Sequence, residues 1–217
     1  MINTNEENAS KRLGTTKCAR FQLTKQSVKA QSMHADEIYP PAEDTLLLLK
    51  ASLKEAKPDD IAIEIGCGSA LISKELSRKV CSLVATDVNP YAVKGAQAVG
   101  IEAVRADLFR GIKSRFDLIV FNPPYVPTPE EERTNGWINF ALDGGETGRD
   151  TINRFLEDLK NHLNPCGRAL LLVSSLNGLE DVMAKAKAEG LQAREAFNER
   201  CFFEQLYVIR LEIAQRR

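Results

Sequence analysis

The chain has no C-x-x-C pair, and its five cysteines (Cys18, Cys67, Cys81, Cys166 and Cys201) are scattered along 217 residues. With only two histidines beside them, that spacing argues against a zinc site or a disulfide framework and points to a reducing compartment. A dominant charge is lacking too: 29 basic residues stand against 30 acidic, so the bulk electrostatics carries no signal for nucleic acid or a membrane surface. No apolar run approaches the roughly 20 residues that cross a bilayer. The polar start, MINTNEENASKRL, lacks the apolar core of a secretory signal. Repeats and low-complexity tracts are absent. What remains is the expectation of a cytoplasmic globular protein, with 43% hydrophobic and 27% charged residues.

Residues 1–38, rich in Asn, Lys, Gln, Ser and Thr, read as a polar extension, partly disordered or with a short helix near residue 30. The domain proper is expected to run over 39–217. Pro40 and Pro41 precede a helical stripe through Leu46, Leu49 and Leu53. Strands and helices then alternate. The expected strands are 60–65, 83–86, 103–106, 116–121, 169–173 and 206–213, with 191–197 as another. Asn89 suits a helix N-cap and Pro90 the first helical position. Asn164 to Gly167 reads as a turn, and 126–149 as a long loop. Alternating β and α elements imply a doubly wound α/β fold, a parallel sheet covered by helices on both faces.

Three acids stand at or near successive strand ends: Glu64 in EIGCGSA, Asp87 in ATDVN and Asp107 in RADLF. Ligands of such sheets bind beyond the carboxyl ends of the strands. GCGSA lacks the third glycine of a dinucleotide fingerprint, and Glu64 would repel a pyrophosphate, so the pattern fits a cationic ligand. S-adenosylmethionine carries a sulfonium and an ammonium. An acid ending the second strand suits a ribose diol. Taken singly, Asp87 and Asp107 are also ordinary helix N-caps.

The fourth strand runs into Asn122-Pro123-Pro124-Tyr125, and two prolines that cannot donate backbone hydrogen bonds must end it. With YPPAEDT (39–45), EIGCGSA (64–70), TDVNP (86–90), ADLF (106–109), FDLIVFNPPYVPT (116–128) and ALDGGETGRD (141–150), the chain resembles the HemK-like class I S-adenosylmethionine-dependent methyltransferases that modify a glutamine of peptide-chain release factors. NPPY alone is shared with adenine-N6 methyltransferases.

The resemblance implies a Rossmann-like, mostly parallel seven-stranded sheet with an antiparallel C-terminal strand. It implies S-adenosyl-L-methionine held by Thr45, Glu64, Gly66, Gly68, Asp87, Asp107 and Leu108, with Tyr39 and Glu43 near the same pocket. At the NPPY turn, the Asn122 side-chain oxygen and the Pro123 carbonyl are suited to accept from the two N–H groups of a carboxamide, and Tyr125 to pack on its plane. No metal is expected. Trp137, the one tryptophan, reads either as a substrate wall or as packing.

The substrate implied is a class I release factor. Too few residues precede Tyr39 for the N-terminal helical domain of bacterial members, so the chain resembles the short archaeal and eukaryotic form. That form works with a small zinc-binding activator, for which Ile101, Ala103 and Val104 are candidate contacts. An adenine amine, a lysine or a non-catalytic scaffold remain the competing readings. Near-neutral charge disfavours nucleic acid, and intact NPPY and acids disfavour the scaffold.

Overall fold

The computed structural model describes residues 35–133 and 136–214. Among these residues seven strands form one sheet: β1 Ile61–Ile65, β2 Ser82–Asp87, β3 Glu102–Arg105, β4 Phe116–Phe121, β5 Leu163–Ser174, β6 Leu191–Cys201 and β7 Glu204–Ile213. Their order is β3-β2-β1-β4-β5-β7-β6. β7 lies antiparallel between β5 and β6, as expected for the C-terminal strand, and the other pairings are parallel. The helices among the described residues are α1 Glu43–Glu55, α2 Leu71–Leu76, α3 Pro90–Ala98, α4 Trp137–Leu142, α5 Asp150–His162 and α6 Leu179–Ala188.

The period of two along each strand sorts side chains between the faces. Ala62, Leu118, Val120, Leu170 and Leu172 pack on Leu47, Leu48 and Ala51 of α1 and on Ile72 and Leu76 of α2. Their neighbours Ile63, Ile65, Ile119, Phe121, Leu171 and Val173 pack on Phe155, Leu156 and Leu159 of α5 and Val182 of α6. Burial on both faces is why IAIEI and FDLIVF read as near-continuous apolar runs. Each fully buried Leu, Ile or Phe contributes about 1.5–3 kcal/mol. α3 starts as expected: Pro90 is its first residue, and the Asn89 side chain accepts from the Tyr91 N–H at 2.9 Å.

Several boundaries differ from expectation. Leu163 already pairs with Phe116, and pairing resumes at Arg168 with Leu118, so the Asn164–Gly167 turn is an irregularity inside β5. β6 extends to Cys201, and β3 stops at Arg105. The 126–149 stretch contains a 3-10 turn at Glu130–Glu132 and α4. Arg168, 1% exposed, forks onto Asp60 at 2.7 and 2.6 Å and donates to the carbonyls of Asp117 and Glu55, tying the amino ends of β1, β4 and β5 together. A buried guanidinium is tolerated only when paired in this way. Ile101 and Ala103 are buried against α3, whereas Val104 on the β3 edge is 41% exposed. The expected helix near residue 30 lies outside the described residues; Ala35–Glu37 forms a 3-10 turn. No helix among the described residues is long and apolar enough to cross a membrane.

The chain moves from β1 outward to β2 and β3, then returns to β4 on the other side of β1. The gap between the carboxyl ends of β1 and β4 is therefore the switch point of the sheet, where such folds bind ligands.

Candidate active site

A cavity of about 400 Å³ opens at that switch point. Thr45, Glu64, Gly66, Gly68, Asp87, Asp107, Leu108, Asn122, Pro123 and Tyr125 all border it, as do Tyr39 and Trp137; Glu43 does not.

Glu64 points to the α1–α2 side of β1 and is buried, accepting a hydrogen bond from Ser73 Oγ of α2. Burial pushes its carboxyl up to about 8, against the Ser73 hydrogen bonds, and the nearby Asp87 charge adds to the rise. The β1–α2 turn that follows is left-handed at Gly66 (φ +66°), Gly68 (φ +48°) and Ala70 (φ +60°). At Gly66 only a residue without Cβ adopts that angle freely. The turn directs the Gly68 N–H to Asp87 Oδ2 at 2.9 Å, while Asp87 Oδ1 accepts from the Asn89 N–H at 2.8 Å. Asn89, not Asp87, caps α3, so the capping role that a lone acid suggests for Asp87 is already filled. Burial raises the Asp87 carboxyl as well. Asp107 lies two residues beyond β3, partly exposed and paired with Arg154 at 2.6 Å. Leu108 beside it is left-handed (φ +50°), an angle that costs a non-glycine residue energy and concentrates at ligand sites.

Across the cavity, Asn122 follows the last residue of β4. Its Nδ2 donates to Asp44 Oδ2 at 3.0 Å. A carboxylate has only acceptors to offer, so the nitrogen must face Asp44 and the Oδ1 must face away. That Oδ1 is buried with no donor among the described residues, a state that costs roughly 1–3 kcal/mol unless a ligand supplies the donor. Asp44 is itself held by the Thr45 N–H at 2.5 Å, the Thr45 hydroxyl at 3.1 Å and the Tyr39 hydroxyl at 3.3 Å. Burial and the Asp44 charge raise the phenols of Tyr39 and Tyr125, so neither serves as a base near neutral pH.

The residues after NPPY fold back onto it. The Val126 N–H donates to the Leu142 carbonyl and the Gly144 N–H to the Val126 carbonyl, both at 2.9 Å. Gly148 (φ +69°) passes so close that a Cβ would collide with the Tyr125 carbonyl and the Asn177 amide. Buried Asn177 donates through Nδ2 to the carbonyls of Tyr125 at 2.7 Å and Gly148 at 3.0 Å. The Trp137 N–H, at the start of α4, donates to the Glu37 carboxylate at 3.1 Å, and the Arg105 guanidinium lies over the indole at 5.6 Å.

Asp44 and Asn177 are the site residues that pattern reading misses. Asp44 looks like any acid in a first helical turn, and Asn177 sits in a short polar link with no motif around it. Among the described residues, no cluster of His, Cys, Asp and Glu is arranged to hold a metal.

The methyltransferase small domain family matches residues 42–197. A Methanocaldococcus jannaschii chain named a protein N5-glutamine methyltransferase is 41% identical over 180 residues, which are 80% of this chain and 90% of its own. Methyltransferase HEMK2 of Homo sapiens is 34% identical over 190 residues, covering 80% of this chain and 89% of its own. Among solved structures, a chain of the E. cuniculi Mtq2–Trm112 complex, described as responsible for methylation of the eRF1 translation termination factor, matches with a TM-score of 0.69 and 30% identity. That match covers 82% of this chain and 99% of that one. With the sheet order and the NPPY turn at its switch point, these likenesses agree: the chain belongs to the methyltransferase small domain family, among the HemK-like S-adenosylmethionine-dependent methyltransferases.

Proposed function

We propose that the protein methylates the side-chain amide nitrogen (N5) of the glutamine in the Gly-Gly-Gln motif of a class I peptide-chain release factor, with residues 39–217 as the catalytic domain. The observation that carries the proposal is the buried, donor-less Oδ1 of Asn122 beside the cavity, its orientation set by Asp44. A carboxamide –NH2 has two N–H groups to place, and Asn122 Oδ1 and the Pro123 carbonyl are two acceptors on a turn stiffened by proline. Oδ1 is shut from solvent in this conformation, so neighbouring side chains shift to admit the amide. The relatives' names, N5-glutamine methyltransferase and methylation of eRF1, support the same substrate.

The residues opposite fit S-adenosylmethionine, which supplies an electrophilic methyl group when bound. Buried Glu64, mostly protonated near neutrality in the ligand-free protein, would be drawn to its ionised form by a cationic ligand; Asp87 would hold the ribose hydroxyls. Leu108 and Asp107 would border the adenine. The Arg154–Asp107 pair is partly exposed, worth about 0–1 kcal/mol, and easily exchanged for a ligand contact. The chain's own contribution is to hold the two reacting groups in line and to accept hydrogen bonds from the amide as its nitrogen loses electron density. The amide proton leaves to water, since Asp44, the carboxylate that touches Asn122, is already taken up by hydrogen bonds from Asn122, Thr45 and Tyr39.

An adenine in nucleic acid is less well served. The exposed Glu130–Glu132 run lies on the segment that follows NPPY, and like charge there repels a phosphate backbone. A small zinc-binding activator is proposed as partner, covering the β3 edge where Val104 is exposed, and the cytoplasm as the site of action. Tandem mass spectrometry of a reaction offering a Gly-Gly-Gln peptide, a lysine peptide and an adenine oligonucleotide tests the substrate. A methyl group on the glutamine amide alone is expected, and one on lysine or adenine instead would replace the proposal.

Cofactor affinity should depend on pH with a definite sign. If the ionised Glu64 is the binding form, affinity strengthens as pH rises toward about 8 and levels off above it. Each unit below weakens it by up to about tenfold. In the ligand-free protein the same raised value means that Glu64 favours the folded state at low pH. That contribution fades as pH rises from its unfolded value toward about 8. Calorimetric titration of wild type and Glu64→Gln across pH 6–9 checks this, the difference between them removing the ligand's own titration.

Asp44→Asn should flip the Asn122 amide. The new side chain gives its oxygen to the Thr45 N–H and presents an –NH2 to Asn122, which turns its own oxygen toward it. The cavity then faces a donor, and kcat/KM falls about 10–100-fold with cofactor affinity unchanged.

A further inference from the structure

At the same carboxyl end of the sheet, β6 turns into β7 through two residues, Phe202 and Phe203, with Cys201 paired to Glu204 across the turn. Two-residue hairpins with positive φ at the first central position ordinarily place glycine there. Here that position is Phe202, with φ +37°. Phe202 is 86% exposed and Phe203 101%. The turn thus combines a strained backbone angle with two aromatic rings in water, neither of which helps the isolated fold.

Hydrogen bonds connect this tip to the amide clamp. The Glu204 carboxylate accepts from Ser174 Oγ, and the Gln205 N–H donates to Ser175 Oγ at 3.1 Å. The Ser174 N–H donates to Asn177 Oδ1 at 3.0 Å, and Asn177 Nδ2 donates to the Tyr125 carbonyl at 2.7 Å. The tip therefore has a fixed position relative to Asn122–Tyr125. Leu176, 52% exposed, lies on the linking 3-10 turn and adds apolar surface between the two. Cys201, next to the tip, is close enough to feel the charges of Glu43 and Asp44 at the start of α1. Tip, α1 start and clamp are thus neighbours on one face.

We infer that the Phe202–Phe203 tip is a docking element for the methyl-acceptor protein, its rings seating in an apolar depression on the polypeptide whose side-chain amide enters the Asn122 clamp. The inference rests on the acceptor being a protein. The occupant follows from continuity: whatever places a backbone-attached amide at Asn122 extends over the surface that the hydrogen-bonded path joins to the clamp. Exposed aromatic side chains are the type that carries disproportionate binding energy once buried.

The test is the double variant Phe202→Gly, Phe203→Ser, which gives the positive-φ position the residue it favours and so retains the hairpin, together with Phe203→Ser alone, which leaves that angle untouched. The substrates are a full-length class I release factor and a short Gly-Gly-Gln peptide. KM for the release factor should rise about tenfold or more, with peptide methylation and cofactor affinity unchanged and the thermal midpoint not lowered. An unchanged release-factor KM, or an equal loss on the peptide, overturns the docking role while leaving the methylation reading intact. If the wild type methylates neither substrate, the functional proposal itself fails and the docking inference falls with it.

Discussion

Asn122→Ala should lower kcat for the acceptor amide by about 10²–10³, the loss typical of removing one group aimed at developing transition-state charge. The Oδ1 acts on an N–H whose nitrogen becomes more positive as the methyl group arrives, so its hydrogen bond strengthens along the reaction and the loss falls on kcat rather than on binding. The variant also frees the Asp44 oxygen that Nδ2 occupies, but Tyr39 and Thr45 still hold that carboxylate, so the turn keeps its shape. Single-turnover rates at saturating cofactor, with cofactor affinity measured separately, check the partition. A cofactor affinity weakened as much as the rate would mean that Asn122 holds the cofactor rather than the amide.

Asp87→Ala should give the opposite signature. Two charge-assisted hydrogen bonds to a diol contribute about 1.5–3 kcal/mol each, so the cofactor dissociation constant should rise by about 10² or more. At saturation kcat stays near the wild-type value, because the binding lost is common to ground and transition states. The Gly68 and Asn89 N–H groups lose their acceptor as well, so the thermal midpoint drops. Asp87→Asn, which keeps one oxygen, falls between. Kinetics at several cofactor concentrations separate the two variants without any structural readout.

The sheet was legible because its central strands are buried on both faces, which writes them as short apolar runs punctuated by Gly, Pro and Asn. Asn89 and Pro90 likewise mark the start of α3 by local chemistry alone. What escaped was long-range. Asn164–Gly167 carries every sign of a turn, and the sequence has no way to indicate that β5 pairs with β4 on both sides of it. Arg168 looks like a solvent residue beside a strand until Asp60, 108 positions earlier, is brought to it. In the site, Glu64, Asp87 and Asn122 announce themselves by standing at strand ends, where ligands bind. Asp44 does not, because its role depends on a contact with Asn122 across 78 residues. Trp137 was ambiguous between wall and packing, and it borders the cavity while its N–H is tied to Glu37. Ile101 and Ala103 have the composition of a contact surface but face α3, leaving Val104 exposed on the β3 edge.

The most direct measurement is methyl transfer from labelled S-adenosylmethionine to a purified class I release factor, with and without the small activator. The Gly-Gly-Gln glutamine is intact in one sample and replaced by alanine in the other. Label that appears on the intact factor, vanishes with the glutamine, and vanishes again with Asn122→Ala is the predicted result. Equal labelling of the two factors, or label on nucleic acid alone, would contradict the assignment of Asn122 as a clamp for a glutamine amide.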